Sequence, residues 1–390
     1  MRVALVHDYL REYGGAERVL ETIHQMFPDA PVYTFYVNLE AMGANGKRFA
    51  DWKIIPSWFQ KLPFANTLLS PFRIFGPMAF ESFDMSQYDL VISSSSATHL
   101  AKSVITKPET LHLSYIHTPP RFLYGYTTSF NYKKHWWTRI GGEIINHYMR
   151  IYDFEVSQRP DILLANSKNV AKRIEKFYRR DSVVIYPPVD VTVILNEVKN
   201  LKIKSRDPSA KPQDDKKYFL VLSRLVRGKG VEVVVEACGK LGLPLKVAGS
   251  GPELENLKEL ATINHKPSTI NFLGWVSDEE RVKLLQDAKA LIVASEDEDF
   301  GITSIEAQAA GTPVIAPRSG GFLETVIEGK TGLFYGGTGA VTSDDLMDAL
   351  KKFKSMKFDP EDLRKNAEKF SVERFKKEIL ELIEKHLVQK

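Results

Sequence analysis

The chain has 390 residues, 43% of them hydrophobic and 26% charged, the composition of an ordinary soluble protein with enough apolar content for two domain cores. Its net charge of +4 is too small to argue for nucleic acid as a partner, and its single cysteine, Cys238, excludes an internal disulfide and fits a reducing compartment. No run reaches the ~20 apolar residues of a membrane span. The opening MRVALVHDY lacks the apolar core of a secretory leader, so a cytoplasmic location is expected.

MRVALVHDYL reads as a buried strand and GGAERVLETIHQMF as a helix entered through two glycines. PVYTFY, DLVISSSS, LHLSYIH and DILLANS are further short strand-like runs, the last followed by the helical pattern SKNVAKRIEKFYRR. After SVVIYPPVD comes a polar, Lys-rich segment with few aromatics, expected to be a linker or insertion over 191–216. A second alternation begins at YFLVLSRL and runs through VEVVVEACGKL, LPLKVAGSG, ELENLKELATI, INFLGWV, SDEERVKLLQDA, KALIVAS, GITSIEAQAAG, TPVIAP and GFLETVIEG. Repeated strand–helix units predict parallel sheets covered on both faces, with ligands beyond the carboxyl ends of the strands. The expected architecture is therefore α/β. It has one doubly wound, Rossmann-like domain over 1–190 and a second over 217–371, facing a central cleft. The amphipathic tail 372–390 forms a terminal helix that can pack on either domain.

Two stretches are amphipathic and rich in aromatics, Trp58–Phe83 and 133–152. In the second, Trp137, Ile140, Ile144, Tyr148 and Ile151 form an approximate helical stripe flanked by Lys133, Lys134, Arg139 and Arg150. Such a pattern can lie on a membrane surface. The reading preferred from sequence is a core stripe with solvated flanks.

The chemistry concentrates in SEDEDFGITSIEAQAAGTPV, from Ser295. KALIVAS places Glu298 at the carboxyl end of a strand. Gly301 permits a tight entry into a helix whose first N–H groups suit a phosphate. Carboxylates would repel that phosphate, so they are better suited to neutral hydroxyls. A ligand with a diphosphate in the middle and a polyol at each end would use the whole arrangement. A metal reading of Asp297-Glu298-Asp299 is disfavoured, because LSRLVRGKG supplies cations at Arg224 and Lys229, with Arg227 between them.

EDFGITSIE, continued by AQAAGTPVIA and SGGFLETVIEGKTGLFY, resembles the Glu-x7-Glu signature of retaining glycosyltransferases of family four, which have the GT-B fold. The resemblance implies that Glu298 contacts the transferred sugar and Glu306 the nucleotide ribose. It implies that backbone amides of Phe300, Gly301, Ile302 and Thr303 hold sugar hydroxyls and the diphosphate, and that Arg224 and Lys229 bind that diphosphate. Gly14 and Gly15 resemble the family's N-terminal loop. Gly249 and Gly251 in AGSGPE would lie near the nucleotide, and Trp275 and Val276 in GWVSDEE would border the base, although ordinary αβ turns remain the alternative for both. His117 in YIHTPPRFLYG matches a family histidine near the sugar.

YIHTPPRFLYG, NSKNVAKRIEKFY and VIYPPVDV look like O-antigen and capsular mannosyltransferases that use GDP-mannose. The implied reaction is metal-independent transfer of a hexose, with retention and a front-face mechanism, to a saccharide or lipid-linked saccharide. No cofactor is expected. The expected partners are the nucleotide-sugar and the acceptor, with a peripheral contact at the inner membrane face as a further option. Other nucleotide-sugar donors (UDP or ADP), a GT-B epimerase and a non-enzymatic sugar-nucleotide sensor remain alternatives. A dinucleotide oxidoreductase lacks its GxGxxG fingerprint.

Overall fold

A computed structural model of the chain describes all residues except 70, 97–99, 127–135, 197–217, 264–268, 296, 338–339 and 388–390. Lys133, Lys134, Glu296 and most of the expected linker lie outside the described residues, as does the side chain of Trp137.

Short runs of two to six residues build two parallel sheets. The first contains β1 (Val3–His7), β2 (Val32–Thr34), β3 (Ile54–Pro56), β4 (Leu90–Ser95), β5 (Leu111–Ile116), β6 (Ile162–Ala165) and β7 (Val183–Val184). Their order is β3-β2-β1-β4-β5-β6-β7, and every pairing is parallel. All residues of β4 and β5 are buried, as expected for strands covered on both faces. The chain winds outward in both directions from the β1–β4 pair, so the switch point lies where His7 and Ser94 face each other in register.

The second sheet contains β8 (Tyr218–Leu222), β9 (Leu245–Ala248), β10 (Ile270–Gly274), β11 (Ala288–Ile292), β12 (Val314–Pro317) and β13 (Gly332–Tyr335), ordered β10-β9-β8-β11-β12-β13. Its switch point lies between β8 and β11. The helix Asp278–Asp287 starts at a capping box, with the Ser277 hydroxyl accepting from the Glu280 N–H and the Glu280 carboxylate returning to the Ser277 N–H.

The chain divides into two compact units, described separately below. Unit 1 takes in the N-terminal chain to Pro188 and the terminal segment from Glu373, and unit 2 runs Val189–Val372. The terminal helix Val372–Leu387 buries Phe375, Ile379 and Ile383, spaced four apart, in the same cluster as Leu5, Leu90, Leu113 and Tyr115. At the start of the expected linker, Val191 and Ile194 are buried. Among the described residues, no helix is long and apolar enough to cross a membrane.

One expectation is corrected. In the helix Trp136–Val156, Ile140, Ile144, Tyr148 and Ile151 are 54%, 57%, 64% and 54% exposed, so this stripe is not core. The inward face carries Asn146, Met149, Asp153 and Val156, all buried. Asp153 faces inward because it pairs with the buried Lys102 at 2.5 Å and accepts a bond from the Tyr124 hydroxyl at 2.8 Å. A buried charge pair of this kind reverses the polarity on which an apolar-stripe reading depends.

Candidate functional site

In unit 2 the candidate residues sit on loops leaving the carboxyl ends of β8, β9, β10 and β11. The loop after β8 carries Arg224, which is exposed, and Lys229, which is partly buried. Glu298 lies after β11, on the other side of the switch point. Lys229 Nζ and Glu298 Oε2 are 2.7 Å apart, so the cation and the first glutamate of the motif meet directly. Both side chains keep partial contact with solvent, and such pairs stabilise a fold by only about 0–1 kcal/mol. An incoming anion and hydroxyl can therefore exchange for this pair at little cost.

Backbone contacts fix the glutamate loop. Gly301 adopts φ +89° at the entry to the helix Ile302–Ala309, and a Cβ there would sit 2.8 Å from the Phe322 ring. Glycine is thus required for both conformation and space. Phe300 is buried, with its ring edge-on to Phe370 at 5.4 Å, so only its backbone is available to a ligand. Ile302 and Thr303 open the helix, whose N-terminus has no side-chain cap. Glu306, one turn on, is buried, and Arg281 Nη1 stands 3.4 Å from its Oε1 while also reaching Asp278 at 3.1 Å.

The glycine turn after β9 is tied to the basic loop. The Leu225 N–H donates to Ser250 O at 2.9 Å, and a Cβ on Gly249 would fall 1.8 Å from Ser223 O. Gly251 approaches Leu225 O in the same way. The Gly249 N–H donates to Gly274 O at 2.7 Å, bringing in the segment of Trp275 and Val276, where Trp275 is 63% exposed.

Sequence reasoning left two contributors unassigned. The Gly321 N–H donates to Glu298 O at 2.9 Å, and a Cβ on this glycine would collide with Phe300 Cα. The SGGF turn therefore shapes the glutamate loop from below, and its paired glycines were the available signal. Arg281 had no signal, because only the fold brings the helix Asp278–Asp287 to Glu306.

His117, Gly14 and Gly15 belong to unit 1. Gly14 and Gly15 start the helix Gly15–Met26, but the Gly14 N–H is engaged by Glu17 Oε2 at 2.7 Å. The other oxygen, Oε1, lies 3.4 Å from His7 Nε2. His7 Nδ1 is 3.1 Å from Ser94 Oγ, and Ser94 Oγ is 2.9 Å from His117 Nε2. Burial pushes the His117 pKa down to about 4, so the ring is neutral at pH 7. Burial alone would raise the Glu17 pKa, but the hydrogen bond from His7, with backbone N–H groups, holds it below the usual value and keeps the carboxylate ionised.

Two doubly wound parallel sheets with motif residues at their switch points define the GT-B glycosyltransferase fold. The structure of Anabaena Alr3699/HepE in complex with UDP superposes with a TM-score of 0.68, at 18% identity, covering 99% of this chain and 100% of that one. Residues 202–370 match the family Glycosyl transferases group 1, so the family signature falls in unit 2. The D-inositol 3-phosphate glycosyltransferase of Corynebacterium urealyticum is 30% identical over 203 residues, 48% of each chain. The alpha-1,3/1,6-mannosyltransferase ALG2 of Dictyostelium discoideum is 29% identical over 202 residues, 44% of this chain and 48% of that one. The chain thus spans about half the length of such curated relatives.

Proposed function

We propose that the protein is a retaining glycosyltransferase that moves mannose from GDP-mannose to a saccharide or lipid-linked saccharide. The carrying observation is the Lys229–Glu298 contact across the unit 2 switch point, beside an uncapped helix N-terminus. On binding, the donor diphosphate takes Lys229 and Arg224, and the released Glu298 carboxylate accepts from sugar hydroxyls. Glu306, held by Arg281, accepts from the ribose. The acceptor oxygen then bonds to the anomeric carbon as the bond from that carbon to the phosphate oxygen breaks, and the acceptor proton passes to the departing diphosphate. The cations and helix N–H groups stabilise the charge that builds on the leaving group. They do so without a divalent metal, so EDTA leaves the rate unchanged; a rate abolished by EDTA and restored by manganese contradicts this reading.

GDP-mannose is favoured by the subgroup motifs and by a relative named as a mannosyltransferase. A UDP-hexose is the second reading, because the similar Anabaena fold was solved with UDP and UDP-glucose. Thermal denaturation in the presence of GDP-, UDP- and ADP-sugars decides between them, since a ligand bound to the folded state raises its stability by mass action. A larger midpoint shift with GDP-mannose is expected; a larger shift with UDP-glucose replaces the donor assignment. The exposed stripe Ile140, Ile144, Tyr148 and Ile151 supports a peripheral contact with a lipid surface, where a lipid-linked acceptor would reside.

A further inference from the structure

The buried polar chain at the unit 1 switch point has no role in the reaction as described so far. Its four members come from β1, the following helix, β4 and the residue after β5, and each link lies within hydrogen-bond reach. His7, Glu17 and Ser94 are buried, so none of the three meets a ligand directly. The other nearby carboxylate, Asp8, is engaged by the Ser96 N–H and hydroxyl at 2.9 and 3.0 Å and by the Ala101 N–H at 2.8 Å.

We propose that Glu17, His7 and Ser94 form a positioning chain that fixes the tautomer of His117, presenting its Nδ1 as a hydrogen-bond acceptor to a saccharide hydroxyl. The direction follows from donor arithmetic. An ionised Glu17 only accepts, so His7 Nε2 carries the proton. We take His7 as the neutral ring; its Nδ1 is then a lone pair and takes the Ser94 hydroxyl proton. Ser94 has no second proton, so toward His117 its oxygen accepts, and His117 Nε2 must be N–H. Nδ1 of His117 is left as a lone pair and has no hydrogen-bond partner among the described residues. A carboxylate that sets a histidine tautomer through a hydrogen bond is a known device for orienting imidazole. Here the order is carried one histidine further, through a serine. A second proton on His7 would leave its bond to Glu17 in place, reverse both bonds of Ser94 and turn His117 Nδ1 into a donor.

The hydroxyl partner rests on the glycosyltransferase reading; the tautomer does not. Nitrogen-15 correlation spectra of histidine-labelled full-length protein at pH 7 read the tautomer directly, with His117→Gln assigning the resonances. The expected spectrum shows His117 protonated at Nε2 only. Ser94→Ala should give a tautomer mixture and lower kcat for transfer by about tenfold, the scale of one lost hydrogen bond, with donor KM nearly unchanged. Ser94→Thr, which keeps the hydroxyl, should restore both. An Nδ1–H tautomer in the wild-type protein, or an unmixed Nε2–H tautomer in Ser94→Ala, overturns the chain whether or not transfer is detected. A tautomer that shifts in Ser94→Ala while kcat stays unchanged overturns the role of Nδ1. Absence of transfer by wild-type protein with the expected spectrum counts against the enzymatic reading alone.

Discussion

Glu298 and Lys229 satisfy each other at 2.7 Å, so removing either one has a distinct signature. Glu298→Ala should lower transfer by about 100-fold or more, the scale of losing one group aimed at the reacting sugar. It should leave nucleoside diphosphate affinity intact, or improve it, because Lys229 loses an internal competitor. Titration calorimetry with GDP checks this, and a loss of GDP affinity as large as the loss of rate would contradict the sugar role. The His117 pKa of about 4 predicts a pH dependence. The unfolded chain binds a proton near the ordinary value of about 6.5, while the folded ring resists protonation until about pH 4. Stability is therefore full above that unfolded value and falls between the two, by roughly 1–3 kcal/mol. Urea unfolding at pH 7 and pH 5 should show this loss, and His117→Gln should flatten that part of the slope. The sequence singled out Arg224, Lys229, Glu298 and His117 as charged or titratable residues just after strands, and Glu306 by its Glu-x7-Glu spacing on the following helix. Their mutual contacts were not legible there. Lys229 and Glu298 are 69 positions apart, and nothing local specifies that they touch.

Elements were legible where one physical rule dominates. Fully buried runs such as LVISSS and LHLSYI gave strands, and the Ser277–Glu280 box gave a helix start. The helix Trp136–Val156 was misjudged because its inward face depends on a lysine contributed from another part of the chain. Its exposed stripe makes a prediction of its own. Ile144→Glu with Tyr148→Glu should sharply reduce cosedimentation with anionic vesicles and leave transfer to a soluble acceptor unchanged; equal sedimentation of both forms rules out this face as the lipid contact. For the terminal helix, Phe375→Ala should destabilise unit 1 by about 3–5 kcal/mol, the usual cost of deleting a buried aromatic ring. Urea unfolding followed by tryptophan fluorescence measures it.

At the scale of the whole molecule, the two sheets share one logic. Each reverses its winding beside the first strand of its own alternation, and each gathers its polar chemistry there. The parallel α/β class with two sheets was readable from strand–helix repetition alone. The attachment of the last helix was not, since an amphipathic face states that a helix is covered but not by what. Chain connectivity follows from that helix. Unit 2 is an insertion within unit 1, entered at Val189 and left at Val372. The Val189 N–H donates to Phe370 O at 2.9 Å, and Val189 also bridges Ser371, so the chain entering unit 2 is hydrogen-bonded to the chain leaving it.

This connectivity imposes an order on synthesis. Residues 3–7 emerge from the ribosome long before the terminal helix, yet the core they help to form stays open until Phe375, Ile379 and Ile383 have been translated. Unit 2 is complete before then and is free to fold co-translationally, while the earlier-made sheet waits with apolar surface uncovered. A nascent chain that lacks the terminal helix therefore carries apolar surface open to aggregation.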